Sequence, residues 1–266
     1  MEQRTFERFR QLVYAKSGIA LGDQKETLVS ARIAKRMRTL KLDRYEAYYD
    51  AVVRDGSGEE LTELIDSIST NVTSFYREPE HFDLLAGLLK KWKATGQARF
   101  RIWCAAASTG EEPFTIGITA AETLGVGAVD WKALATDISS RVLQRCKEGV
   151  YTPQQISAVD PVYRRKYFEK TTRNGSPAFA VNATLRAGLV FRRLNLSTPP
   201  FPMQGPFDVV FCRNVMIYFD NPTRQRLVAE IHRLLRPGGY LMVGHAESLT
   251  GVTNGFKGIR PSVYVK

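Results

Sequence analysis

The spacing of hydrophobic residues divides the chain into a helical first part and a second part in which strands and helices alternate. Up to about residue 70, hydrophobic positions recur with the period of amphipathic helices, and Gly18, Gly22 and the stretch DGSG at 55–58 provide turns between them. This pattern predicts an all-α domain at 1–70. Its helices are expected at 3–16, 25–40, 43–54 and 58–69.

A connector and an α/β domain are predicted for the rest of the chain. The Asn-, Thr- and Ser-rich stretch STNVTSFYREP indicates a loop at the start of a connecting segment at 71–98, and Pro79 opens a helix that runs to about Lys93. Over 99–266 short hydrophobic runs alternate with amphipathic stretches, which is typical of a mostly parallel sheet with helices on both faces. The expected strands are 100–106, 131–137, 189–196, 207–214 and 239–245, with one more near residue 266. The expected helices are 112–124, 139–148 and 221–235.

A long segment between the second and third of these strands interrupts the alternation. Within it, TTRNGSPAFAV alternates in the manner of an antiparallel ribbon, so a small β insert is expected at about 160–188. The fold class predicted from the pattern is therefore α/β, with an all-α domain before it.

Composition limits the environment and the partners of the protein. The first residues are charged throughout, and no apolar run approaches the roughly 18 residues that span a bilayer, so we expect a cytoplasmic protein. Three widely spaced cysteines without a CxxC pair fit a reducing compartment, with Cys104 and Cys212 as small buried residues on strands. The net charge of +11 indicates an acidic partner, and charge alone does not distinguish nucleic acid, membrane and protein.

The turn after the first strand of the α/β domain is unusually acidic. The stretch RIWCAAASTGEEPF places a single glycine, Gly110, before a helix that opens on Glu111 and Glu112. Nucleotide-binding α/β folds place their cofactor at this position, but two carboxylates would repel a pyrophosphate. The ligand expected here therefore lacks phosphates.

Further polar residues follow the other strands at the same edge of the sheet, where open α/β sheets bind their ligands. Asp137 stands where a carboxylate accepts both ribose hydroxyls, and the amide of Asn195 can contact an adenine edge. A ligand with an adenosine and a cationic tail satisfies all of these positions, and S-adenosylmethionine, with its sulfonium and ammonium groups, is such a ligand. We expect Glu111 to face the tail and Glu112 merely to complement the helix dipole, although both could do only the latter.

Five motifs together carry a resemblance to a known family. STNVTSFYREPEHF, AAASTGEEPF, ATDIS, the pair Asn195-Leu196 and CRNVMIYFD are similar, in order and spacing, to those of chemotaxis-receptor glutamate O-methyltransferases. The resemblance covers nearly the whole chain. It implies a Rossmann-like S-adenosylmethionine-dependent methyltransferase sheet with a small β insert, preceded by an all-α domain. The implied reaction transfers a methyl group from S-adenosylmethionine to glutamate side chains of chemoreceptors, releasing S-adenosylhomocysteine.

The resemblance also implies the residues of the site. Cofactor contacts fall, by position in the motifs, on Asn71, Thr73, Arg77, Glu111, Asp137, Asn195, Leu196, Arg213 and Asn214. No metal is expected. The implied partners are the cytoplasmic domains of chemoreceptors in membrane-bound arrays. The protein is expected to be a monomer that is recruited to these arrays and does not insert into the membrane.

The chemistry requires little acid–base help from the protein. A glutamate side chain with a pKa near 4.3 is already ionised at neutral pH, so placement of the carboxylate and exclusion of water are the main requirements. Arg77 can hold a carboxylate of cofactor or substrate, and Tyr218 can orient the incoming glutamate, unless its ring only fills the rim of the cleft. We assign both as catalytic residues.

The second helix is strongly basic. In ARIAKRMRTLK, Arg32, Lys35 and Arg36 fall on one helical face and Arg38 follows. A solvated face explains this pattern as well as a docking face does. Receptor helices that present rows of glutamate favour docking, and the resemblance points to the same helix, so these four residues are the expected substrate-binding set.

Two other functions compete with this interpretation. A nucleic-acid methyltransferase would fit the basic charge, but the stretch RNVMIYFD lacks the [ND]PP[YFW] segment typical of amino-methylating enzymes, and no nucleic-acid-binding signature is present. A non-catalytic receptor adaptor with the same fold would be expected to have lost Asp137 or the STGEE turn, and both are intact.

Overall fold

The protein consists of an all-α domain followed by an α/β domain with a β insert. The structure, a computed structural model, describes residues 1–69, 72–125, 127, 129–252 and 255–266. Within these residues no helix combines the length and apolar character needed to cross a membrane.

Four helices pack into the first domain, as the periodicity predicts. They are α1 Gln3–Ser17, α2 Glu26–Leu40, α3 Tyr45–Arg54 and α4 Glu59–Ile68. Their apolar faces meet in a common core that includes Phe6, Ile33 and Leu64. The first helix ends at Gly18, whose φ of 73° and close approach to Ser197 leave no room for a side chain.

Among the described residues after 69, the elements build two sheets and six α-helices. The strands are β1 Arg99–Cys104, β2 Asp130–Asp137, β3 Val150–Tyr151, β4 Phe168–Arg173, β5 Ser176–Val181, β6 Leu189–Arg193, β7 Phe207–Cys212, β8 Leu235–Val243, β9 Lys257–Arg260 and β10 Val263–Val265. The helices are α5 Glu80–Ala94, α6 Glu111–Leu124, α7 Ser140–Glu148, α8 Pro161–Tyr167, α9 Ala183–Arg186 and α10 Asn221–Leu234.

The large sheet has the order β6-β2-β1-β7-β8-β10-β9. Its first five strands run parallel to one another. At one edge, β10 pairs antiparallel with both β8 and β9. Neighbouring residues of β1 pack on opposite faces of the sheet, because successive side chains of a strand point to alternate faces. Ile102 packs in the core beneath α6, and Trp103 packs in the core that contains α10. The expectation of a mostly parallel sheet covered on both faces is confirmed.

The β insert forms the small sheet β3-β5-β4, which is antiparallel as expected. Two short helices in this region, α8 and α9, are absent from the sequence expectation, because seven and four residues are too few to display a helical period. The third parallel strand, β6, ends at Arg193 and not at residue 196, since Asn195 begins a turn by accepting hydrogen bonds from Ser197.

Candidate active site

A cleft opens at the carboxyl edge of the parallel strands. Its position is the one at which open α/β sheets bind their ligands. The predicted residues that line it are Thr73, Arg77, Asp137, Asn195, Leu196, Arg213, Asn214 and Tyr218. Asn71 lies outside the residues that the structure describes. The fold thus brings together residues that are up to about half the chain apart.

Asp137 ends β2 and faces the cleft. Its two carboxylate oxygens accept backbone N–H bonds, from Ser108 at 2.9 Å and from Ser139 at 3.0 Å, which fixes the plane of the group. Burial raises the pKa of Asp137, and these N–H donors act in the opposite direction. Each oxygen keeps a second lone pair, so the carboxylate can still accept two hydroxyl groups of a ribose.

The two glutamates at the start of α6 point in different directions. Glu111 is not among the residues that line the cleft, and its carboxylate accepts from the hydroxyl of Thr109 at 2.6 Å and from the amide of Gln155 at 3.2 Å. Glu112 lines the cleft instead, and its Oε2 lies 2.9 Å from the guanidinium of Arg213. Glu112 thus does more than complement the helix dipole, while the contact of Glu111 with a ligand stays a prediction. Two successive helical residues point about 100° apart, and packing determines which of them faces the ligand.

The side chain of Arg213 is fully buried and contacts residues of the connector. Its guanidinium pairs with Glu112 and with Glu78, the latter at 3.0 Å, and it donates to the backbone carbonyl of Arg77 at 2.5 Å. Two carboxylates compensate the buried cation. The Arg213 side chain therefore holds the backbone of Arg77 at the rim of the cleft, and since Arg213 also lines the cleft, its direct contact with the cofactor stays a prediction.

The connector itself has a strained conformation around Arg77. Tyr76 and Glu78 both have a φ of 55°, a left-handed value that is uncommon for residues other than glycine. The Arg77 guanidinium donates to the carbonyl of Val72 at 2.9 Å, and the buried ring of Phe75 packs on Tyr151. These contacts hold Arg77 at the cleft and leave other N–H groups of its guanidinium available for a ligand.

Asn195 links the two domains. Its Nδ2 donates to the carbonyl of Lys16 at the end of α1, at 2.9 Å. Its Oδ1 accepts from the backbone N–H and the hydroxyl of Ser197. The side-chain amide of Asn195 was expected to contact an adenine edge. Only the second hydrogen of its Nδ2 remains available for that contact. The neighbouring Leu196 is buried and lines the cleft beside it.

Tyr218 lies where the all-α domain meets the sheet. It ends a short 3₁₀ turn, Met216–Tyr218, and its carbonyl accepts from the backbone N–H of Ala20 at 2.8 Å. The side chain packs against the core of the all-α domain, and the Nζ of Lys25 lies 5.5 Å from its ring centroid. The residue lines the cleft, and both interpretations, a hydroxyl that orients the substrate and a ring that fills the rim, stay predictions.

Several residues that line or support the cleft escaped the sequence analysis. Ser17 and Ile19 reach the cleft from the all-α domain, at the turn around Gly18, and no signal in the sequence points to them. Glu247 is buried behind the cleft, where its carboxylate accepts from the backbone N–H groups of Asn214 and Gly244, each at 2.7 Å. Glu247 thereby shapes the turn that carries Asn214, whose φ is 56°. A polar residue just after the fifth parallel strand was the available signal.

The basic residues of α2 do not form one free face. Arg32 donates to the carbonyls of Ile68 and Ser69, which terminates α4, and Arg36 forms a two-pronged pair with Glu60 at 2.9 and 2.7 Å. Lys35 and Arg38 are exposed. Arg32 and Arg36 are thus turned toward α4, Lys35 and Arg38 are the exposed cations of the predicted set, and the role of all four in substrate binding stays a prediction.

Comparison with known proteins follows the same two-part division. The family described as "CheR methyltransferase, SAM binding domain" matches residues 71–265, and "CheR methyltransferase, all-alpha domain" matches residues 4–69. The chain belongs to the CheR methyltransferase family. As a CheR methyltransferase, it has an S-adenosylmethionine-binding domain in the α/β part, where the cleft lies.

Named relatives of this CheR chain are similar over almost their full length. The chemotaxis protein methyltransferase of Escherichia coli (strain K12) is 37% identical over 251 residues, which cover 94% of this chain and 86% of that protein. Chemotaxis protein methyltransferase 2 of Pseudomonas aeruginosa is 35% identical, covering 97% and 91%. The chemotaxis protein methyltransferase of Borreliella burgdorferi is also 35% identical, covering 97% and 93%. The expected resemblance is confirmed.

Proposed function

We propose that this CheR methyltransferase transfers the methyl group of S-adenosylmethionine to glutamate side chains in the cytoplasmic helices of chemoreceptors. The products are glutamate methyl esters and S-adenosylhomocysteine, and the role is sensory adaptation. The relatives that carry the name chemotaxis protein methyltransferase support the pathway. The protein would work as a cytoplasmic monomer that is recruited to receptor arrays.

One observation about the cleft carries the choice of acceptor. Among the described residues that line it there is no His, Lys or Cys, and its two carboxylates, Glu112 and Asp137, are engaged by Arg213 and by backbone N–H groups. Amine or hydroxyl acceptors generally need a base to remove a proton, whereas a glutamate arrives ionised. A cleft without a free base therefore favours a carboxylate acceptor.

The residues of the cleft fit the cofactor. Asp137 keeps lone pairs for a ribose, and Glu112 gives the cationic tail a negative neighbour, which Arg213 partly neutralises. When bound, S-adenosylmethionine would supply an electrophilic methyl group. The residues of the chain would do the rest: Arg77 and Tyr218 would orient the incoming carboxylate in line with that methyl group, and the turn containing Ser17 and Ile19 would exclude water.

A labelling experiment tests the proposal. The protein is mixed with methyl-tritiated S-adenosylmethionine and receptor-containing membranes, and base-labile radioactive methanol is measured. Methyl esters release methanol, so a base-labile signal that requires receptor is the expected result. Base-stable label on nucleic acid would identify a nucleic-acid methyltransferase. Binding to receptor without any label transfer would identify an adaptor.

A further inference from the structure

A cluster of metal-ligating side chains lies behind the connector, outside the cleft. Glu78 and His81 stand at the start of α5, and His245 follows β8. One ligand atom from each lies within 4.8 Å of the other two. The Oε2 of Glu78 is 3.5 Å from Nδ1 of His81 and 3.9 Å from Nε2 of His245. Glu80 completes the cluster, because its carboxylate contacts Nε2 of His245.

His81 is the residue that points to a ligand. Its side chain is buried, with 1% of the residue exposed, and neither ring nitrogen has a hydrogen-bond partner. Buried polar atoms are nearly always satisfied, so two unpaired nitrogens on one ring require an explanation.

Charge around the cluster also favours a cation. The carboxylate of Glu78 lies near both imidazoles, that of Glu80 contacts His245, and the guanidinium of Arg213 lies 3.0 Å from Glu78. That ion pair is compatible with metal binding, because each carboxylate oxygen has two lone pairs and ligating carboxylates are commonly hydrogen-bonded from outside. Arg213 would then hold the ligand Glu78 in place.

The donor set indicates the class of ion. Two imidazoles with one or two carboxylates suit Zn²⁺ and similar transition metals, whereas Ca²⁺ and Mg²⁺ prefer oxygen ligands alone. The ligand atoms of the three residues lie up to 4.8 Å from one another. Metal–ligand bonds of about 2.0–2.1 Å require these atoms to move closer together. The side chains of His245 and Glu80 are 53% and 47% exposed, so they can close the site by changing rotamer around the buried His81.

We propose that Glu78, His81 and His245, with Glu80 at the rim, bind one divalent transition-metal ion of the Zn²⁺ class. The ion would join the start of α5 to the loop after β8. Because Glu78 adjoins Arg77 and pairs with Arg213, it would also stiffen the connector that borders the cleft. The role is structural and does not depend on the acceptor of the methyl group.

Metal titration of the untagged full-length protein tests this site. After treatment with a chelator, the protein is titrated with Zn²⁺ by calorimetry and with Co²⁺ by visible absorption. We expect one equivalent of either ion, a four-coordinate Co²⁺ spectrum, and a higher Tm with Zn²⁺. The Co²⁺ spectrum should lack a thiolate charge-transfer band, because all three cysteines are buried and burial raises the pKa of each thiol.

Variants locate the ion. His245→Gln and Glu80→Gln, both at the exposed rim, should weaken Co²⁺ binding, His245→Gln by tenfold or more. The control His232→Gln should bind normally, since that ring packs on Phe256 elsewhere. His81→Asn should abolish binding, and if it fails to fold, the two rim variants decide. Absence of stoichiometric binding, or equal affinity in His245→Gln and His232→Gln, would overturn the proposal.

Discussion

At the scale of single residues, Asp137 is the clearest test of the cleft. Asp137→Ala should weaken binding of S-adenosylhomocysteine by about 2–4 kcal/mol, the worth of two charge-assisted hydrogen bonds to a ribose. Calorimetry measures this directly. Asp130→Ala is the matched control at the other end of β2, where the carboxylate pairs with Arg101 on the surface. Unchanged affinity in Asp137→Ala would remove this residue from the cofactor site.

The raised pKa of Asp137 adds a pH dependence. Only the ionised carboxylate accepts both hydroxyls, and burial moves the pKa of this group above its usual value. Affinity for S-adenosylhomocysteine should therefore fall on acidification at a higher pH than an ordinary aspartate, with a pKa near 3.9, would cause. The affinity of Asp137→Asn should be lower and should lack this transition. A profile of dissociation constants from pH 4 to 7 checks both, and identical profiles for the two proteins would contradict the assignment.

Tyr218 separates catalysis from cofactor binding. Tyr218→Phe keeps the ring that packs on the all-α domain and removes only the hydroxyl assigned to the substrate carboxylate. Turnover should fall while affinity for S-adenosylhomocysteine stays nearly unchanged. Tyr14→Phe is the control, because Tyr14 also joins the two domains, through a 2.7 Å bond to Asp220, but does not line the cleft. Normal turnover in Tyr218→Phe would leave its ring as a filler of the rim.

At the scale of elements, α2 combines a structural and an exposed set of cations. Arg36→Ala should lower the free energy of unfolding by about 1–2 kcal/mol, because its pair with Glu60 is two-pronged and only partly exposed. Lys35→Ala, on the exposed side of the same helix, should change it by less than about 0.5 kcal/mol. Urea unfolding measures both values. Equal stability of the two variants would contradict the division.

The difference between the bonded and the exposed cations of α2 determines which variants can test receptor docking. Charge reversal at Arg32 would disturb the end of α4 beside the cleft, so a loss of activity there would not identify docking. Lys35→Glu and Arg38→Glu avoid this problem. Both should lower the rate of receptor methylation, most strongly at low salt, and leave cofactor affinity unchanged. Normal rates in both variants at low salt would make this helix a solvated surface.

Much of the element pattern was predictable, because hydrophobic period and turn residues are local properties. The cleft was predictable too, since the carboxyl ends of parallel strands share one edge and place Asp137, Asn195 and Asn214 together. The direction of individual side chains was not, because it depends on packing between distant segments. Glu111 turns to Gln155, Arg36 turns to Glu60, and neither partner is adjacent in sequence.

At the scale of the whole molecule, the all-α domain completes the cleft and contacts the sheet at its carboxyl edge. Asn195 bonds Lys16, the N–H of Ala20 bonds the carbonyl of Tyr218, and Ile19 forms a bridge with Phe219. The turn around Gly18 thus lies over the carboxyl edge of the sheet. Separation of the domains would expose the cleft, so cofactor residence should depend on contacts that are distant from it.

Arg141 at the start of α7 provides such a contact. It lies 3.4 Å from Asp66 and 3.9 Å from Glu63, both on α4, and the Asp66 carboxylate is fully buried. Arg141→Ala would remove the salt-bridge partner of a buried carboxylate and should lower the free energy of unfolding by about 1–3 kcal/mol. Because the link between the domains is weakened, S-adenosylhomocysteine should also dissociate faster, which stopped-flow displacement measures. Arg145→Ala, an exposed arginine one turn later on α7, is the matched control. Equal dissociation rates for these two variants would mean that the domains stay closed without Arg141, and that the turn around Gly18 alone retains the cofactor.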